Sequence, residues 1–369
     1  MRIVSVRLLP YRLPLREPWP TSEGPIQERE GILIALEDEA GRVGLGDTAP
    51  LPGFGLETLA SSAAALRGAA RRLAGLPADA YLEGAANLPY LAPVAASPAA
   101  RGAIDLALHD LAARTENRSV AALLGGASAL EAVPAGVVLP AASPARTVEL
   151  ARAALSAGAR ALKLKVGAAP LAEDLARVRA IREEAGDSIP IRLDANQSWS
   201  EEEARTALTA FRVYRIEFLE QPVPASDLPA MARLRQDGVP IAADESVSDL
   251  RAARRVLEAG AADLLVLKPM VLGGLVAALQ VAALARDRGV EVVVTSFVES
   301  AVGRTGALHL AASLGATGHA HGIATGAALA EDVADAPRLE QGLVHPPTGP
   351  GLGITLDASR WKDAAAWCT

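Results

Sequence analysis

Lysines and carboxylates recur at the ends of short apolar runs through the middle of this chain. The runs are ALKLK at 161–165, IPIRLD at 189–194, RIEFLE at 215–220, VPIAAD at 239–244 and DLLVLK at 263–268. They end in Lys163 and Lys165, Asp194, Glu220, Asp244 and Lys268. Three carboxylates gathered at one buried point repel one another unless a cation neutralises them. Single carboxylates from separate strands make an all-oxygen set that suits a hard divalent ion, Mg²⁺ first and Mn²⁺ as its substitute. Acidic residues at strand ends also cap the helix that follows, which Asp194 in DANQSW and Asp244 in ADESVS could do. Glu220 argues against that alternative, because Glu is a poor N-cap and QPVP follows it.

The lysines complete the chemistry. Residues two apart on a strand share a face, so Lys163 and Lys165 both point inward. A partly desolvated lysine beside a second lysine has a depressed pKa and serves as a general base near neutrality. Lys268 closes the sixth strand, nearly opposite Lys165. Ion pairing with the carboxylates is the competing account, fair for Lys163 and weaker for Lys165 and Lys268. Removing a proton next to a carboxylate builds negative charge on oxygen, which a metal and a nearby ammonium stabilise. The site therefore suits abstraction of an α-proton from a small carboxylate.

These residues need a scaffold that brings strand ends to one rim. From about residue 131 to 330, eight β-like runs alternate with amphipathic helices. Beside the five above stand AGVVL at 135–139, VEVVVTS at 290–296, which carries Thr295 and Ser296, and HGIAT at 321–325. That alternation predicts parallel strands closed into a TIM-type (β/α)7β barrel, with the active site at the C-terminal strand ends. Residues 1–130 read as an α+β capping domain: strands at 1–15 and 31–38, a polar surface loop over 15–30, and helices over Leu59–Leu76 and Pro98–Leu124. Residues 331–369 are expected to pack back onto this cap. Gly273 and Gly274 permit a tight turn after Lys268, for a ligand or for packing.

Composition removes several classes. Of 369 residues 50% are hydrophobic and 21% charged, so a sizeable core is expected and disorder is not. A net charge of −7 and only 3% aromatic residues fit neither a phosphate-backbone binder nor a stacking surface for single strands. The single cysteine, Cys368, excludes a disulfide framework within the chain. The first residues lack the apolar segment of a signal peptide, and no run is long enough to span a membrane, so a cytoplasmic protein is expected. Self-association into a homo-oligomer is compatible with this composition.

With these residues in place, the chain resembles the enolase superfamily, whose sites pair a Lys or His base with Mg²⁺. The resemblance rests on LKLKVG at 162–167, RLDANQSW at 192–199, EFLEQP at 217–222, AADES at 242–246, LVLKP at 265–269 and TSFVES at 295–300, and covers almost the whole chain. It is similar to the muconate-cycloisomerase-like subgroup. Within that, GLGDTAPLPGFGLETL at 44–59 and LKPMVLGGL at 267–275 look most like the o-succinylbenzoate synthases of menaquinone biosynthesis. The resemblance implies that Asp194, Glu220 and Asp244 bind Mg²⁺. It implies that Lys165 is the base, that Lys268 steadies the ene-diolate, and that Lys163 lowers the pKa of Lys165. It also implies substrate contacts from Arg192, Asn196, Thr295 and Ser296, and from Gly53 and Phe54 in a lid loop. Racemisation of N-acylamino acids, dipeptide epimerisation and lactone formation share the same first step. Phe297 departs from the strand-seven motif, where a small residue is common.

Overall fold

The computed structural model describes residues 2–19, 24–51, 57–75, 89–357 and 367–368. Strands β1 (Ile3–Trp19), β2 (Ile26–Asp38) and β3 (Val43–Thr48) form an antiparallel meander. The β2–β3 turn is fixed by Asp38, whose carboxylate accepts the Ala40 and Arg42 amides at 3.0 and 2.9 Å. The β1–β2 hairpin is longer than the sequence indicates. Residues 16–19 and 26–30, read as surface loop, are strand, with Leu13 opposite Arg29 and Trp19 opposite Ile26. The polar run QERE misleads because its alternation is real: Glu28 and Glu30 face solvent while Arg29 points inward.

Helix α1 (Leu59–Leu73) starts with a Thr58–Ser61 capping box. Helix α2 (Pro98–Thr115) lies directly on β3, as two glycines on that strand permit. A Cβ on Gly46 would stand 1.8 Å from the Ala103 carbonyl oxygen, and one on Gly44 2.2 Å from that of Ala107. The expected helix over Pro98–Leu124 is two, since Asn117 at φ 54° breaks the chain before α3 (Val120–Gly125). The Gly273–Gly274 pair serves packing against α2: a Cβ on Gly274 would meet the Asp105 carboxylate at 2.4 Å.

Seven parallel strands follow, each hydrogen-bonded to the next: β4 (Val137–Leu139), β5 (Leu162–Lys165), β6 (Ile191–Asp194), β7 (Phe218–Glu220), β8 (Ile241–Ala243), β9 (Leu264–Leu267) and β10 (Glu291–Val294). The eighth run does not form a full strand. His321 and Gly322 instead make single parallel bridges to Ala135 and Thr295, which closes the (β/α)7β barrel. Gly322 sits so tightly on Thr295 that a Cβ would meet its Cγ2 at 2.7 Å. Phe218, Ala242, Leu264, Val266 and Val293 fill the lower interior. Past the barrel the chain returns to the cap: Leu329 bridges Leu15, Gly351 bridges Ser119, and residues 367–368 pair with β1. Asp110 on α2 accepts the Leu352 amide at 2.7 Å and the Leu45 amide at 2.8 Å, joining three segments. Among the described residues no helix is long and apolar enough to cross a membrane.

Candidate active site

Strand register brings the acidic residues to one level. Lys165 is opposite Asp194, Asp194 is opposite Glu220, and Glu220 is opposite Ala242, two residues before Asp244. The Asp194, Glu220 and Asp244 side chains are all buried. Gln221, at φ 38°, accepts the Asp244 and Ser246 amides at 3.1 Å and so fixes the turn that aims Asp244 inward. Asp194, Glu220 and Asp244, with Lys163, Lys165 and Lys268, line one cavity of about 340 Å³, large enough for a small organic acid.

Each lysine has a different partner. Lys163 Nζ donates to Glu220 Oε1 at 2.6 Å and lies 2.8 Å from Asp194 Oδ2. Lys268 Nζ donates to Asp244 Oδ1 at 2.6 Å and stands 5.5 Å from the centre of the Phe297 ring. Lys165 Nζ meets a neutral group, Asn196 Oδ1, at 2.6 Å. The ion-pair account therefore applies to Lys163 and also to Lys268, where the sequence made it the weaker one. The expected depression of the inward lysine pKa is reversed at Lys163. Burial pulls that pKa down, but the charges of Asp194 and Glu220 outweigh it, and the ammonium is held above the ordinary lysine range. The same contacts bring Asp194 below the usual carboxylate value despite burial. Burial, reinforced by Asp194, raises Glu220, and burial raises Asp244.

Among the described residues no three acidic or histidine side chains form a closed ligand shell by themselves. The carboxylates are turned onto ammonium groups instead. A single Lys163 nitrogen within 2.8 Å of both Asp194 and Glu220 shows that the two carboxylates can share one cation. Glu245 Oε2, next to Asp244 at the cavity wall, is buried without a hydrogen-bond partner. This all-oxygen, net-acidic donor set fits a hard divalent ion.

The other expected contacts divide. Asn196, at φ 42°, faces Lys165 with its oxygen and donates through Nδ2 to Glu245 Oε1 at 3.1 Å, so its amide orientation is fixed from both ends. Thr295 and Ser296 line the cavity; Ser296 Oγ is 2.7 Å from Thr325 Oγ1, and Thr295 Oγ1 is buried without a partner. Arg192 is at the floor, bonded to Glu217 and to the Ala320 carbonyl at 2.7 Å, with Phe218 beneath its guanidinium at 4.9 Å. Gly53 and Phe54 lie outside the described residues. Sequence reasoning missed Val298 in the cavity wall, which carries no polar signal, and Glu245, which the adjacent acidic pair could have flagged; Trp19 and Leu51 line the same wall.

A capped barrel with three lysines and three carboxylates at its mouth is the architecture of enzymes that take a proton from carbon next to a carboxylate. Residues 3–125 match the mandelate racemase/muconate lactonizing enzyme N-terminal domain, and residues 146–360 match the enolase C-terminal domain-like family. The chain belongs to the enolase superfamily, in its muconate-cycloisomerase-like subgroup. It is 31% identical over 363 residues to chloromuconate cycloisomerase of Cupriavidus necator, covering 97% of each chain. It is likewise 31% identical to an N-succinyl-L-Arg/Lys racemase of Bacillus cereus over 85% of both. A dipeptide epimerase of Enterococcus faecalis, crystallised with Mg and L-Leu-L-Tyr, superimposes with a TM-score of 0.90 at 29% identity, covering 96% of this chain and 100% of that one.

Proposed function

We propose that this enzyme is an o-succinylbenzoate synthase, a Mg²⁺-dependent lyase of the cytoplasm. It would dehydrate 2-succinyl-6-hydroxy-2,4-cyclohexadiene-1-carboxylate to o-succinylbenzoate. Asp194, Glu220 and Asp244 would hold the metal, which when bound would supply a Lewis acid to the substrate's ring carboxylate. Lys165 takes the C1 proton and the C1–H electrons are delocalised into the carboxylate as an ene-diolate; its collapse forms the C1–C6 double bond as the C6–O bond breaks. Lys165 then returns that proton to the departing hydroxyl on the same face, and water leaves. Lys268 keeps its proton and offsets the charge developing on the carboxylate. Thr295 and Ser296 face the succinyl arm.

The observation that carries this reading is the apolar wall of Trp19, Leu51, Val137, Phe297 and Val298 beside the lysines, which suits a carbocycle. Lys268 Nζ stands 5.5 Å from the centre of the Phe297 ring, on that wall. A second reading, racemisation of an N-acylamino acid, is favoured by the likeness to the N-succinyl-L-Arg/Lys racemase and by both lysines lining one cavity.

A direct assay of o-succinylbenzoate formation with Mg²⁺ tests the choice, run alongside α-hydrogen exchange of N-succinyl amino acids in D₂O. The synthase reading expects turnover that Lys165→Ala abolishes and Lys268→Arg partly retains, with exchange from one enantiomer lost in the latter. Rapid exchange of both enantiomers by wild type without dehydration would establish the racemase instead.

A further inference from the structure

The capping sheet sends one polar side chain from each of its first three strands to the loop after β10. Tyr11 on β1 donates to Asp47 on β3 at 2.8 Å, and Asp47 accepts the Ser300 amide and hydroxyl at 3.0 and 2.6 Å. Arg29 on β2, only 2% exposed, goes further. Its Nε donates to the Val298 carbonyl at 3.2 Å, its Nη1 to Pro50 at 3.4 Å, and its Nη2 to Ala49. One guanidinium thus ties the backbone that follows β3 to the backbone of the barrel loop.

The residue it holds on the barrel is strained. Val298 has φ 58°, a left-handed conformation that a β-branched side chain rarely adopts and that persists only when its surroundings impose it. Val298, its neighbour Phe297, and Leu51, which follows Pro50, all line the cavity, and Phe297 flanks Lys268. Such strain next to a cavity invites a functional reading.

We infer that Arg29 is a positioning residue for substrate fit: by holding Val298 in its left-handed turn and Pro50 in place, it sets the apolar wall that faces the substrate. It touches neither the lysines nor the carboxylates. The inference rests on the reading that this cavity holds the substrate, whichever carboxylate that is.

The test compares Arg29→Leu, Arg29→Lys, Tyr11→Phe, Val298→Gly, and Arg29→Leu combined with Val298→Gly, using the substrate that wild type turns over best. Glycine takes a positive φ without help, so it should restore the turn that leucine at position 29 releases. The expected result is a KM about tenfold higher in Arg29→Leu with kcat within about twofold, the pattern of lost uniform binding. Because glycine also removes a wall side chain, the combination is read against Val298→Gly alone: in that background Arg29→Leu should raise KM by less than about twofold, and Tyr11→Phe should lower Tm while leaving KM unchanged. A folded Arg29→Leu enzyme with wild-type KM, or an undiminished Arg29→Leu effect in the Val298→Gly background, overturns the inference. If Arg29→Leu does not fold, Arg29→Lys decides: its single ammonium cannot span three carbonyls, and a KM no higher than that of Tyr11→Phe overturns the inference. Failure of wild type to make o-succinylbenzoate would sink only the functional reading above, since these ratios are measured on whatever substrate is turned over.

Discussion

Lys165 points its amine at the side-chain oxygen of Asn196, 2.6 Å away, while Glu245 holds the other end of that amide. The contact aims the amine without an ion pair. Asn196→Ala is therefore expected to lower kcat by about 10- to 100-fold through lost alignment. Mg²⁺ affinity should stay within about threefold, because the Asn196 contact to Asp194 comes from its backbone amide at 3.0 Å. Steady-state kinetics with calorimetric Mg²⁺ titration separates the two roles; a metal affinity that fell as far as kcat would assign Asn196 to the metal.

Chelation should abolish turnover, and added Mg²⁺ should restore it. Wild-type Tm should also rise with Mg²⁺, since a ligand that binds only the folded state stabilises it. In Glu220→Gln the Mg²⁺ dissociation constant should weaken by at least about tenfold. An equal Tm response in wild type and Glu220→Gln would remove Glu220 from the ligand set.

Burial pushes Glu299 up to about 7 and Asp47 up to about 6 at the cap–barrel interface. A carboxyl whose folded pKa is raised releases its proton first in the unfolded chain. Its contribution to stability therefore falls as pH rises from the unfolded value through the folded one, and is level above that. Glu299→Gln cannot ionise, so relative to wild type it should gain about 2–3 kcal/mol between pH 4.5 and 7.5. His309 and His321, lowered by burial to about 4, act in the opposite sense in both proteins and cancel in the difference. Urea denaturation at stepped pH reads it; parallel curves would mean that Glu299 ionises as readily folded as unfolded.

Gly46→Ala should destabilise the cap by about 1–3 kcal/mol or more, since its methyl group would collide with the backbone oxygen of Ala103 on α2. Thermal unfolding measures this, and an unchanged Tm would show that α2 can move off β3.

The barrel and its chemistry were legible because both follow simple periodicities. Alternating strand and helix runs gave the parallel sheet, and the residue ending each strand gave Lys165, Asp194, Glu220, Asp244 and Lys268 at one rim. What stayed hidden depends on partners distant in sequence. Arg29 looks like a loop residue until Val298 is brought to it across the interface, and Lys163 reads as an activating neighbour until two carboxylates close on it. The eighth strand was overestimated because HGIAT has the right composition, but backbone crowding at Gly322 limits it to one bridge on each side.

The pairing of residues 367–368 with β1 has a consequence for biosynthesis. At Arg7 and Leu8 the outer edge of β1 is met by residues translated only after every barrel strand. Translation order therefore leaves that stretch of the cap's edge waiting for a partner until the catalytic barrel has been made.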